Sequence, residues 1–230
     1  MEFGLKLVYF MIMIISLLPA LTLHEWAHGY AAYKLGDDTA KADGRLSLNP
    51  LDHLDPMGAI MMLLVGFGWA KPVPINTRKF KKPKRDIAIT SIAGPLMNFI
   101  VAIISGLLFV LSVYICQANN ITGITAEVII TIFQYSMLLN IGLGLFNLIP
   151  IPPLDGSNVL MCALPPKAAM QYSKLRYYSH YIMIGIVLLN RMPYPLSMIS
   201  DIIFMPLDFL RGFLSDAIIT FGELIFSFIF

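Results

Sequence analysis

Charge is scarce in this sequence. Lys, Arg, Asp and Glu make up 13% of its 230 residues, 57% are hydrophobic, and the mean hydropathy is +0.75. Ordinary soluble domains are about a quarter charged, so a water-soluble globular chain is excluded. Cysteine is rarer still, with only Cys116 and Cys162. The topology argued below puts them at opposite membrane faces, which excludes a disulfide framework. Net charge is only +2. The one dense basic run, KFKKPKR at 79–85, reads as a contact with anionic lipid and gives no reason to expect nucleic acid. There is no internal repeat, and no small-x-small cleavage site follows the first apolar run. The N-terminus is therefore expected to be a retained helix and not a cleaved signal peptide.

What the sequence has in abundance is long apolar runs. Stretches able to span a bilayer recur near 7–33, 87–115 and 128–149, with further apolar segments near 177–190 and 196–230. The expected fold is an all-α polytopic membrane protein, a three-helix core with additional membrane segments. One integral membrane domain over 1–230 is expected, with its core at about 5–163 and variable C-terminal segments over 174–230. The first helix should stop at Gly36-Asp37-Asp38, and 42–56 should be loop with short extended pieces. Residues 57–76 are apolar but interrupted by Gly and Pro, and too short to span. A membrane-associated β-hairpin or re-entrant segment is expected there. Near the C-terminus, Asp201, Asp208, Asp216 and Glu223 recur at seven- and eight-residue spacing, one face of a helix. Pro206 is expected to interrupt that helix.

Basic residues set the orientation. Of sixteen Lys and Arg, ten lie between Lys34 and Arg85 and three between Lys167 and Arg176, while 117–127 has none. Both basic loops should then be cytosolic.

Against that background one stretch stands out, LTLHEWAHGYAAYKLGDD at 21–38. Ionisable groups at membrane depth cost several kcal/mol unless paired or facing a wet cavity. His24, Glu25 and His28 form H-E-x-x-H on a helix, where residues four apart lie about 40° apart around the axis. Both imidazoles can reach one metal, and Glu25 can take a proton from a water there. With four His in the chain, chance produces this pattern in roughly one shuffled sequence in a thousand.

A catalytic zinc takes three protein ligands and an open position. Candidates for the third are Asp155, His53, His180, Cys162 and Cys116. His24 precedes Lys34 by ten residues, about 15 Å of helix, and Asp155 precedes Lys167 by twelve. That matched depth favours Asp155. Cys116 lies on the outer side and His180 is too shallow, whereas His53, in a loop that can fold back, stays possible as an accessory. Pro150, Pro152 and Pro153 bar a regular helix just before Asp155, so a wet pocket is expected there.

HEWAH in one apolar segment, GPLMN in the next and NLIPIPPLDG at the end of the third together resemble the site-2 protease family of intramembrane zinc metallopeptidases. The likeness covers roughly residues 20–160, and NPLDHLDP and GWAKPVPIN resemble a compact subgroup without PDZ or CBS domains. The resemblance implies one zinc per chain held by His24, His28 and Asp155, with Glu25 as general base. It also implies that Asn98 and Asn147 lie near the active site, where either amide could meet substrate backbone or an oxyanion.

The expected function is zinc-dependent hydrolysis of peptide bonds in or near transmembrane segments of membrane proteins. The partners would be those segments and the lipid bilayer, in a multi-pass cell-membrane protein whose site faces the cytosol. The competing reading is a metal-ion transporter using the same His and Asp as transit ligands. A transporter should spread polar groups along a path, whereas here they concentrate at one depth.

Overall fold

The computed structural model describes residues 2–65, 68–189 and 197–228. In chain order the helices are α1 (Glu2–Lys34), α2 (Thr39–Ala42), α3 (Pro50–His53), α4 (Pro56–Val65) and α5 (Pro83–Ala118). After them come α6 (Ile124–Asn147), α7 (Asp155–Ala163), α8 (Pro166–Ser173), α9 (Ser179–Leu189) and α10 (Ser197–Phe226).

Among the described residues three helices, α1, α5 and α6, are long and apolar enough to cross a membrane. Only 22–33% of their most apolar windows is buried inside the protein. Leu7, Met11 and Ile15 of α1 and Leu96, Ile100 and Ile104 of α5 are exposed. An apolar surface on this scale suits lipid and not water. α5 is central, packing against α1, α6, α7 and α10. Its inward positions are small or polar, among them Gly94, Ala102, Ser105 and Gly106, so backbones approach closely where the hydrophobic effect gives no drive between helices. Ala102, Met137 and Ile141 form the innermost cluster, with Leu214 and Ile218 of α10 against it.

α1 ends at the expected place. Gly36 adopts φ +108°, Asp37 N–H bonds to Ala32 O at 2.9 Å and Gly36 N–H to Tyr33 O at 3.1 Å. This is a Schellman stop, which needs a residue at ease in the left-handed region. The buried Asp37 then accepts from Thr39 N at 3.1 Å and from Asn76 N at 2.6 Å, tying residues 76–79 to the end of α1.

The hairpin expected over 57–76 is not there. Among the described residues there is no strand, only a single antiparallel bridge between Leu54 and Ala70. Residues Pro56–Val65 are helical instead. Asp55 caps α4 by accepting from Gly58 N at 2.8 Å, and Pro56 follows it, where a missing amide is harmless. The Gly and Pro residues that suggested a hairpin mostly follow this helix. Asn49 and Pro50 start α3 in the same way within the expected loop, Asn49 Oδ1 accepting from Leu51 N at 3.2 Å.

Pro206 does not interrupt α10, just as Pro19 and Pro95 sit inside α1 and α5. Long membrane helices tolerate proline because neighbours re-satisfy the freed groups. The acids of α10 are all exposed, whereas Ser215 and Gly222 are buried.

Candidate metal centre

HEWAH lies on α1 ten residues before its end. His24 and His28 are 8% and 7% exposed, one turn apart, with Nε2 atoms 3.0 Å from each other. Asp155, the first residue of α7, brings Oδ2 to 3.2 Å from His24 Nε2 and 3.3 Å from His28 Nε2. A zinc with ligands at 2.0–2.1 Å in tetrahedral array sets its donor atoms about 3.3 Å apart. The three distances fit.

Protons decide what those atoms are. His28 Nδ1 lies 2.7 Å from the Thr90 carbonyl and His24 Nδ1 lies 2.6 Å from Asn98 Oδ1. Both partners are oxygen acceptors, so each Nδ1 is an N–H donor, and in a neutral imidazole Nε2 then holds a lone pair. With both imidazoles neutral, two such nitrogens and a carboxylate oxygen converge with no hydrogen between them. Asp155 Oδ2 is buried without a hydrogen-bond partner. Acceptors facing one another in a buried site call for a cation, and two imidazoles with one carboxylate suit zinc. The three residues form a group able to hold a metal ion.

Two glycines make the approach possible. A Cβ on Gly94, the glycine of GPLMN, would lie 2.6 Å from His28 Cε1 and 2.7 Å from His24 Cε1. At Gly156, beside Asp155, a Cβ would lie 2.7 Å from Ile149 O. Glycine therefore lets α5 close on the histidines and lets α7 start hard against the proline turn. In that turn the Pro150 carbonyl accepts from the Tyr172 hydroxyl at 2.6 Å. The side chain of Asp155 keeps 17% of its exposure, more than either histidine, which marks the open side of the site.

Glu25 is half-buried, and its Oε2 accepts from the backbone N–H of Val73 at 2.9 Å. The remaining expected residues divide. Asn98 is fully buried; its Nδ2 donates to Ala20 O at 3.3 Å and to Asn140 Oδ1 at 2.9 Å. Both its amide hydrogens and its Oδ1 are engaged within the protein, Oδ1 on His24. Asn147 donates to Leu143 O within its own helix at 3.0 Å. His53 is 1% exposed in α3, with Nε2 2.8 Å from Ser47 O and Nδ1 unpartnered. It is not in the His24, His28, Asp155 group.

Sequence reasoning missed the Thr90 carbonyl, the Val73 amide and Asn140. The first two are backbone groups that no residue type announces. Asn140 carried one signal, an amide side chain inside a membrane-length apolar helix.

Residues 12–190 match the model of Peptidase family M50. YwhC of Bacillus subtilis, by its name a candidate zinc metalloprotease, is 42% identical over 170 residues, which is 74% of this chain and 77% of YwhC. Rip2 of Mycolicibacterium smegmatis, a candidate zinc metalloprotease likewise, is 27% identical over 192 residues, 79% of this chain and 70% of Rip2. The zinc metalloprotease MJ0392 of Methanocaldococcus jannaschii is 31% identical over 161 residues, covering 70% of this chain and 36% of that longer protein. No solved structure matches. With the buried histidines of its His-Glu-x-x-His helix, their facing aspartate and a family match over most of its length, the chain belongs to peptidase family M50, the site-2 protease family of membrane zinc metallopeptidases.

Proposed function

We propose that this protein is an endopeptidase that cuts peptide bonds in or near transmembrane segments of other membrane proteins. His24, His28 and Asp155 would hold one zinc, and Glu25 would serve as general base. The observation that carries the reading is the convergence of three lone-pair donors at 3.0–3.3 Å, with Glu25 following His24 in the chain. Membership of a peptidase family leaves the transporter reading without support.

Bound zinc supplies Lewis acidity toward the scissile carbonyl and the attacking water. Glu25 takes a proton from that water. Its Oε2 is held by the Val73 amide, which leaves Oε1 to receive the proton and later deliver it to the leaving amine nitrogen. A helical substrate hides its carbonyls and must unwind before the bond reaches this carboxylate. The 68–76 segment, with Pro72 and Pro74 and already bonded to Glu25 through Val73, offers backbone on which an unwound segment could align. The basic loop between α1 and α5, and the three basic residues over 167–176 after α7, support a cytosolic placement of the site.

The test is cleavage in reconstituted vesicles holding single-span membrane proteins, with new termini mapped by mass spectrometry. Chelator-sensitive cuts within or beside the span are expected. Cuts confined to soluble tails, or cuts that survive both the chelator and His28→Ala, would overturn the reading.

A further inference from the structure

The two histidines of the centre are oriented by different means. His28 leans on the main chain, through the Thr90 carbonyl, which no substitution removes. His24 leans on a side-chain amide, and that amide leans on another. The series crosses three helices and has a direction that can be read from its fixed ends.

At one end, the backbone carbonyl of Ser136 accepts from Asn140 Nδ2 at 2.9 Å. A carbonyl can only accept, so Asn140 must present its nitrogen there and its oxygen to α5. Asn140 Oδ1 then accepts from Asn98 Nδ2 at 2.9 Å, while the Ala20 carbonyl lies 3.3 Å from the same nitrogen. Asn98 is thus obliged to turn Oδ1 toward His24 Nδ1, 2.6 Å away. Turning either amide over would set oxygen against oxygen at Ser136 or Ala20. Both asparagines have 0% exposure, so water cannot repair a wrong orientation.

We propose that Asn140 is a positioning residue of the metal centre: acting through Asn98, it dictates that His24 carries its proton on Nδ1 and keeps Nε2 free for zinc. The inference rests on the reading of His24 as a ligand. Without Asn140, the Asn98 amide loses the shorter of its two acceptors and only the Ala20 carbonyl, 3.3 Å away, still holds its orientation. A turned Asn98 would offer N–H to Nδ1, move the imidazole proton to Nε2 and block the zinc position. Outer partners of metal-binding histidines typically change affinity by 10–100-fold.

The alternative is that Asn140 merely ties α6 to α5. The two are separated by placing Asn140→Leu in two backgrounds. In Asn98→Asp both carboxylate oxygens accept, so the His24 Nδ1 proton is kept whichever way that side chain is turned. Zinc affinity, measured against a competing chelator on purified protein, should weaken 10–100-fold for Asn140→Leu in the native background. Added to Asn98→Asp, the same change should cost less than about threefold. Equal losses in both backgrounds would make Asn140 a structural tie and overturn the proposal. A second readout needs no variant to fold: nitrogen-15 spectra of the zinc-stripped native protein should show His24 protonated at Nδ1, and a His24 whose Nδ1 carries no hydrogen would overturn it. His24→Ala with zinc retained would instead strike the ligand reading on which the proposal rests.

Discussion

Oδ2 of Asp155 lies 3.3 Å from Nε2 of His28, although 127 residues (155 minus 28) separate the two along the chain. Neither helix could bring its group there alone. α5 packs against both, and its Gly94 leaves room for the imidazoles, so the metal site depends on a helix that contributes no metal-binding side chain to it.

Asp155→Ala should lower zinc content in detergent-purified protein to a small fraction of one per chain, because two imidazoles hold zinc poorly. His180→Ala should leave zinc content unchanged, since His180 is exposed at the start of α9 and outside the group. Elemental analysis of both variants checks this. Full occupancy in the Asp155 variant would move the third ligand elsewhere.

Glu25→Gln should keep its zinc, because Glu25 bonds to the Val73 amide and is not one of the three converging groups. Cleavage of a transmembrane substrate should fall by roughly 10²–10⁴, the usual cost of a lost general base. Wild-type cleavage by this variant would remove Glu25 from the mechanism.

Gly94→Ala should disrupt the centre without touching a polar group. Its methyl would crowd two imidazoles whose Nδ1 atoms are already held by hydrogen bonds. Overpacking of this kind typically costs about 1–3 kcal/mol. Zinc affinity should fall by at least about tenfold, matching the 1.4 kcal/mol that corresponds to a decade, while far-ultraviolet circular dichroism stays helical. Competition with a chromogenic chelator measures it.

Orientation can be checked apart from chemistry. A chain with Cys116 and Cys162 replaced by serine and Asn119 by cysteine should react with an impermeant thiol reagent added outside intact cells. Asn119 is exposed between α5 and α6, far from the basic loops. Labelling only after permeabilisation would reverse the topology and put the site on the outer side.

How much of this was legible beforehand depends on the range of the physics involved. His24 and His28 share a face because α-helical geometry is local, and Gly36 stops α1 because a left-handed turn favours glycine over any neighbour's influence. Spans of sufficient length follow from apolar runs alone. The same local chemistry could have corrected the hairpin: Asp55 and Pro56 are a helix start, outvoted by the glycines and prolines beyond α4.

Asp155 was narrowed by depth along the chain, but depth is one coordinate. Its convergence on two nitrogens needed α5, α6 and the proline turn in place. Asn98 shows the limit most clearly. Its motif placed it near the site, yet whether it offers His24 an acceptor or a donor depends on which way one amide is turned. The carbonyls of Ala20 and, through Asn140, Ser136 decide that. Spacing in a sequence carries helical faces, stops and span lengths, because each arises within a few residues. The direction of a hydrogen bond between helices is set by partners scores of residues apart, and only the packed tertiary structure brings them together.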